Sequence, residues 1–265
     1  MMSPILTNGV GYLIVVVFFA AYHYLMYVVN FPFNYIYQSK YAICDAMNNS
    51  FCPRIAYTVA AVIFYWLTFK ALRFASFQVD NELITNFNLK FMSQGALLGG
   101  GTALVVYILN LLLGFTQFKG WAGEKVGQLF TIFSGMVMTG LTEEVLFRGL
   151  LVGMAKKFMN PYVCILISSV AFGYVHLKYS VMYFASALIK GILLGLGQLR
   201  YGLFWCIGLH SLFNFIETSL YTLTKIKVVN KVMGGARETP DDDGLTTTIA
   251  DLILIGFFAR SLLFS

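Results

Sequence analysis

Long runs without a single charge recur along this chain, and they decide which solvent it can fold in. Residues 1–39 contain no Lys, Arg, Asp or Glu, and neither do residues 126–142. A helix needs about 20 predominantly apolar residues to cross the hydrocarbon of a bilayer. Apolar stretches bounded by charges or turn residues occur near residues 11–29, 55–77, 92–117, 126–153, 160–176, 180–199, 201–222 and 245–264. They predict an all-α fold: a polytopic membrane bundle of about eight transmembrane helices forming one integral membrane domain over residues 1–265. Charged residues make up 11% of the chain, against about 25% in a typical soluble domain. The first stretch lacks the basic leader and small-residue cleavage site of a removable signal, so it reads as a retained span.

The net charge of +6 comes from Lys and Arg scattered through short connections. They form no stripe that could follow a phosphate backbone, which argues against a nucleic-acid partner. Connections facing anionic headgroups account for the basic balance, and the lipid bilayer is the expected surroundings. The basic residues divide too evenly between alternate connections to orient the chain. Cys44, Cys52, Cys164 and Cys206 lack the close paired spacing of a structural zinc site. Cys44 and Cys52 fall in one connection, as two free thiols or, in an oxidising compartment, as a disulfide.

Several features read as packing or anchoring. Lys70 and Arg73 near the end of the second span can extend their charges to headgroups, and Trp66, Trp121 and Trp205 sit where interfacial anchors are useful. Asn160 followed by Pro161 predicts an N-cap and first helical turn. Ala187, Gly191 and Gly195 give the sixth span a face without bulk, suited to a close neighbour. Lys190 interrupts that span; it lies near an end, snorkels, or points into a polar interior, with the first reading preferred. Residues 223–244, carrying Lys225, Lys227, Lys231, Arg237 and Asp241 to Asp243, read as a solvated loop.

Against this background a few polar residues stand out. An ionised side chain deep in a membrane costs roughly 2.5 to 3.5 kcal/mol on insertion scales, so such residues need a partner or a function. Glu143, Glu144 and Arg148 follow the charge-free run 126–142. Glu144 and Arg148, four apart, can pair on one helix face with the acid N-terminal to the base. Glu143 lies about 100° around the helix and is directed elsewhere, toward a cavity. Alternatively, both acids belong to an interhelical ion-pair network. His176 ends the fifth span with Phe172 one turn before it. His210 and Asn214 share a face of the seventh span and can both donate into one space, or make a polar contact between helices. Glu217 continues that face, either as a deep carboxylate or reaching the interface. His23 stands alone in the first span and reads as structural.

Taken together, the sequences EEVLFR at 143–148, FGYVH at 172–176 and HSLFN at 210–214 resemble the EExxxR, FxxxH and HxxxN pattern of the CPBP (CAAX protease and bacteriocin-processing, or Abi) family of intramembrane proteases. The likeness extends over about residues 126–222, with three spans before it and one after. It implies an intramembrane polar cavity in which Glu143 activates water, His176 positions that water, and His210 and Asn214 donate to an oxyanion. Glu144 supports the site through Arg148, with Phe172 alongside. The implied substrate is a membrane protein or lipidated peptide, including a prenylated C-terminus of the CAAX type. No Ser or Cys beside a base offers an acyl-enzyme route. No cofactor is required in this reading; Glu143, His176 and His210 are the ligand set if zinc is involved, although no H-E-x-x-H pair is present. The resemblance points to a prokaryotic cell membrane, or the endoplasmic reticulum membrane in a eukaryote. Two other readings stand beside it: a non-catalytic family member acting as a membrane regulator or bacteriocin-immunity protein, and a proton-coupled transporter, the latter without the inverted repeat such folds show.

Overall fold

The computed structural model describes residues 8–25, 48–85, 87–122, 129–177, 181–228 and 245–263. Helix α1 is Asn8–Leu25 and α2 is Asn48–Phe74. A short helix α3, Glu82–Thr85, leads into α4, Leu89–Leu112. Strand β1, Thr116–Trp121, precedes α5, Leu129–Glu144. Then come α6, Pro161–His176; α7, Val181–Tyr201; and α8, Leu203–Leu223. Strand β2, Thr224–Val228, and α9, Leu245–Leu263, complete the order.

Each of the eight expected apolar stretches is helical over most of its described residues. Among the described residues, four helices are long and apolar enough to cross a bilayer: Asn8–Leu25, Arg54–Phe74, Leu89–Leu112 and Leu129–Lys157. Helix α6 has only 16 residues, while α7 and α8 break their apolar runs with Lys190, Gln198, His210, Asn214 and Glu217. Lys190, Gln198 and His210 are buried among neighbouring helices, and Asn214 and Glu217 are half-buried. The chain is thus a membrane protein with an all-α bundle. Its surface is correspondingly apolar: Leu97, Phe130, Val163 and Phe257 are among the large hydrophobics left exposed.

Helix α5 does not stop at Glu144. It widens into a π-helical segment, Val145–Met154, and tightens into a 3₁₀ turn, Ala155–Lys157. The Ala155 N–H reaches back to Leu150 O, the longer loop that defines π geometry. All ten residues of the π segment are buried. Ser168 of α6 donates to Phe147 O at 2.7 Å, fastening a carbonyl of the widened turn to the next helix. Around it lies the main apolar core, including Val15 of α1, Tyr65 and Leu72 of α2, and Phe147 and Leu150.

The most extensive helix pair is α4 with α8. Gly95, Gly99 and Gly208 make it possible: a methyl group at these positions would run into Trp205 O, Leu209 O and Met92 O respectively. The helices therefore touch backbone to backbone, as small residues allow in membranes. The small face expected on α7 is also used, with Gly191 against Ser169 and Gly195 against Ile165 of α6. Asn160 caps α6 as its sequence predicts, accepting from Tyr162 N at 2.9 Å. The connection from α7 to α8 is one residue, Gly202, whose φ of +85° is costly for any residue with a Cβ.

Other expectations need correcting. Trp205 is no interfacial anchor: it is 3% exposed and packs over Gly197, because α7 offers no side chain there. The span 223–244 is not wholly a loop, since Thr224–Val228 pairs antiparallel with β1. Cys44 and Cys52 lie outside the residues whose side chains are described, while Cys164 and Cys206 are buried free thiols. His23 is structural as expected, its Nδ1 on Phe19 O at 3.1 Å and its ring against Phe19 and Phe147.

Candidate active site

Glu144 and Arg148 are both completely buried, with Arg148 Nη1 3.0 Å from Glu144 Oε1. Their four-residue spacing bridges the junction between α5 and the π segment. The guanidinium carbon stands 4.4 Å from the centre of the Phe172 ring, so a π face covers the side of the cation that the carboxylate does not.

The same Glu144 oxygen takes a second partner from a different helix. His210 Nδ1 lies 2.6 Å from Glu144 Oε1 and His210 Nε2 lies 3.7 Å from Glu143 Oε2. One imidazole thus stands between two adjacent carboxylates. The first contact is a short hydrogen bond; the second exceeds hydrogen-bond range and is an electrostatic neighbour. The roughly 100° step between consecutive helix positions sends Glu144 into the protein and Glu143 toward open space, with Glu143 25% exposed against 0% for Glu144.

His176 is oriented by its own helix. Its Nδ1 is 2.6 Å from Phe172 O; a carbonyl only accepts, so Nδ1 donates, and in the neutral ring Nε2 is left as the acceptor. The ring is held between Phe172, at a centroid distance of 4.7 Å, and Tyr183, at 5.1 Å. Phe172 also meets His210 edge-on at 5.9 Å. The Phe172 ring thus lies against Arg148 and both imidazoles.

These groups surround one cavity of about 210 Å³. It is lined by Glu143, His176, His210, Asn214 and Phe172 together with Arg54, Met136, Thr139, Tyr183, Ala187, Lys190, Glu217 and Thr218. Glu143, His176, His210 and Asn214, separated by as many as 71 positions in the chain, thus share one chamber. Glu144 and Arg148 stand behind its wall. Glu217 lines the cavity rather than reaching the interface. Lys190 is corrected from a helix-end cation to an interior one: it is 6% exposed, lines the cavity, and holds Nζ 3.9 Å from the Phe213 ring centre. Burial on α7 turns it away from any headgroup, and the same chamber holds the carboxylates of Glu143 and Glu217.

Sequence reasoning missed Arg54 and Tyr183. Tyr183, Ala187 and Lys190 follow each other at helical spacing on α7, so the stripe was detectable once Lys190 was taken as inward-facing. Arg54 comes from α2, outside the motif region; its Nη1 crowds the open side of Gly135 on α5. Nothing in the local sequence marks it, because only the packing of α2 on α5 brings it to the chamber. Among the described residues no three His, Cys, Asp or Glu side chains converge closely enough to hold a metal ion. As arranged, Glu143, His176 and His210 are not drawn together as a zinc ligand set.

A membrane-embedded helical bundle with paired carboxylates and two oriented imidazoles around an internal chamber is the class that fold and site define. Residues 125–216 match the family described as type II CAAX prenyl endopeptidase Rce1-like. This stretch contains Glu143, Glu144, Arg148, Phe172, His176, His210 and Asn214, so the family likeness covers the residues gathered at the chamber. A comparison with curated proteins gave no match.

Proposed function

We propose that the protein is a multi-pass intramembrane endopeptidase that hydrolyses a peptide bond with water activated by Glu143. The observation that carries this reading is the convergence of Glu143, His176, His210 and Asn214 on one cavity. The division between a buried, doubly engaged Glu144 and a cavity-facing Glu143 supports it, since two neighbouring acids then have separate roles.

In this mechanism a water molecule donates one hydrogen to the Glu143 carboxylate and the other to the bare Nε2 of His176. Its lone pair is left aimed at the substrate carbonyl carbon. As the C–O bond forms, Glu143 takes the proton and the carbonyl oxygen becomes an oxyanion. The Asn214 amide donates to it, and His210 donates through Nε2 as an imidazolium whose charge is balanced by Glu144. Donors fixed before reaction favour the charged intermediate over the neutral substrate. Collapse breaks the C–N bond, and Glu143 returns its proton to the departing amine, giving a carboxylic acid and an amine. The chemistry needs no cofactor. The family match supports a substrate whose C-terminus is prenylated and held by the surrounding lipid.

Purified protein in lipid, given prenylated and unprenylated peptides, is the direct test. Glu143→Gln should lower kcat about 100-fold to 10,000-fold, the usual contribution of a positioned general base. Full cleavage by that variant would remove the mechanism. A wild-type protein that cleaves neither peptide, while passing a solute across proteoliposomes, would replace the peptidase reading with transport.

A further inference from the structure

Strands β1 and β2 form a ribbon whose register contains a deliberate irregularity. Gln117 pairs with Lys227, Phe118 with Ile226, Gly120 with Lys225 and Trp121 with Thr224. Lys119 is passed over, an extra residue on one strand that makes a β-bulge. In a regular strand, residues three apart face opposite sides. The bulge cancels that alternation and returns Trp121 to the side of Phe118, where the two rings meet edge to face at 5.4 Å. Gly120, with φ +126°, supplies the backbone conformation the detour needs.

The result is a two-faced ribbon. Phe118 and Trp121 are paired on one face yet remain 45% and 70% exposed. Gln117, Lys225 and Lys227 share the other face, all exposed, and Lys119 is exposed at the bulge. Neither strand contains an acidic residue. The ribbon's height is fixed by chain length. Thr116 follows the end of α4 at Leu112, a helix able to cross the bilayer, by four residues. Four residues reach at most about 14 Å, which keeps the ribbon near the headgroup layer flanking the hydrocarbon. Tyr107 near the end of α4 donates to Thr224 Oγ1 at 3.1 Å and pins the ribbon there.

We propose that this ribbon is a binding surface for anionic lipid: Phe118 and Trp121 lie at the boundary of acyl chains and headgroups, and Lys119, Lys225 and Lys227 contact lipid phosphates. Aromatic rings prefer that boundary, and lysines beside it attract anionic lipid by roughly a fivefold factor each at low salt. Without the bulge the two rings would fall on opposite faces and only one could enter the lipid.

The test uses the full-length protein in nanodiscs. Subtracting the emission of Trp121→Phe from that of the wild type isolates Trp121. Lipids brominated near the carbonyl should quench this difference signal by more than half. Brominated phosphatidylglycerol should quench more strongly than brominated phosphatidylcholine at the same mole fraction. That excess should vanish in the variant Lys119→Gln, Lys225→Gln, Lys227→Gln and shrink as salt rises. Quenching by aqueous iodide instead of lipid bromine would overturn the proposal. So would equal quenching by the two lipids, or an excess that survives the lysine substitutions. None of these readouts depends on peptidase activity.

Discussion

Glu82 and Glu144 are both buried carboxylates, and their surroundings are built differently. At one, Glu82 of α3 is 5% exposed; one oxygen pairs with Lys156 Nζ at 2.9 Å and the other accepts from Gln198. Its backbone N–H donates to Tyr65 Oη at 3.0 Å. At the other, Glu144 is held by Arg148 and His210, while Glu143 beside it faces the cavity with His210 Nε2 at 3.7 Å. Both centres carry buried charge. Only one turns a carboxylate toward open space with its neighbours already fixed. Burial of charge is therefore a poor guide to function by itself; the informative feature is a fixed support next to a group left able to exchange a proton.

The sharpest way to break that contrast is to neutralise Glu143 and Glu82 in parallel. Glu143→Gln should remove 100-fold or more of kcat, up to about 10,000-fold, with little change in thermal unfolding; equal loss of activity in folded Glu82→Gln would erase the distinction. Arg148→Met comes next. It strands Glu144 in a buried site and should destabilise the protein by about 3 to 5 kcal/mol, the usual effect of breaking a buried pair, read as a fall in unfolding midpoint in lipid. Asn214→Ala should lower kcat by about 100-fold to 1,000-fold, the typical loss of one oxyanion donor, without a matching loss of product-peptide affinity. The smallest effect belongs to Glu82→Gln, about 1 to 3 kcal/mol of stability for disrupting a buried hydrogen-bonded group, with cleavage retained while the protein stays folded.

How much of this was legible in the sequence depends on range. Charge-free runs located the helices, because hydrocarbon imposes one requirement on every residue it surrounds. The Glu143 and Glu144 division was legible too, since it follows from helical phase within one segment. The bridging role of His210 was not: its contact with Glu144 spans 66 positions and depends on how α8 sits against α5. Lys190 and Trp205 were misjudged for a related reason. Each has an ordinary location near an interface, and only packing against α8 and Gly197 turns them inward. The ribbon was hidden because its strands are about 110 positions apart, and each alone reads as a polar connection. The π segment leaves no periodicity to find, since its residues are buried on all sides.

The glycine seam between α4 and α8 bears on how a substrate enters. Helices in direct main-chain contact have no yielding layer of side chains in which one could slide past the other, so the wall that bears His210 and Asn214 is the stationary one. In the proposed mechanism any change of shape that admits a peptide falls to the other side of the chamber, where α7 presents Tyr183 and Ala187. The seam thus makes one side of the chamber a rigid backing against which the other can adjust.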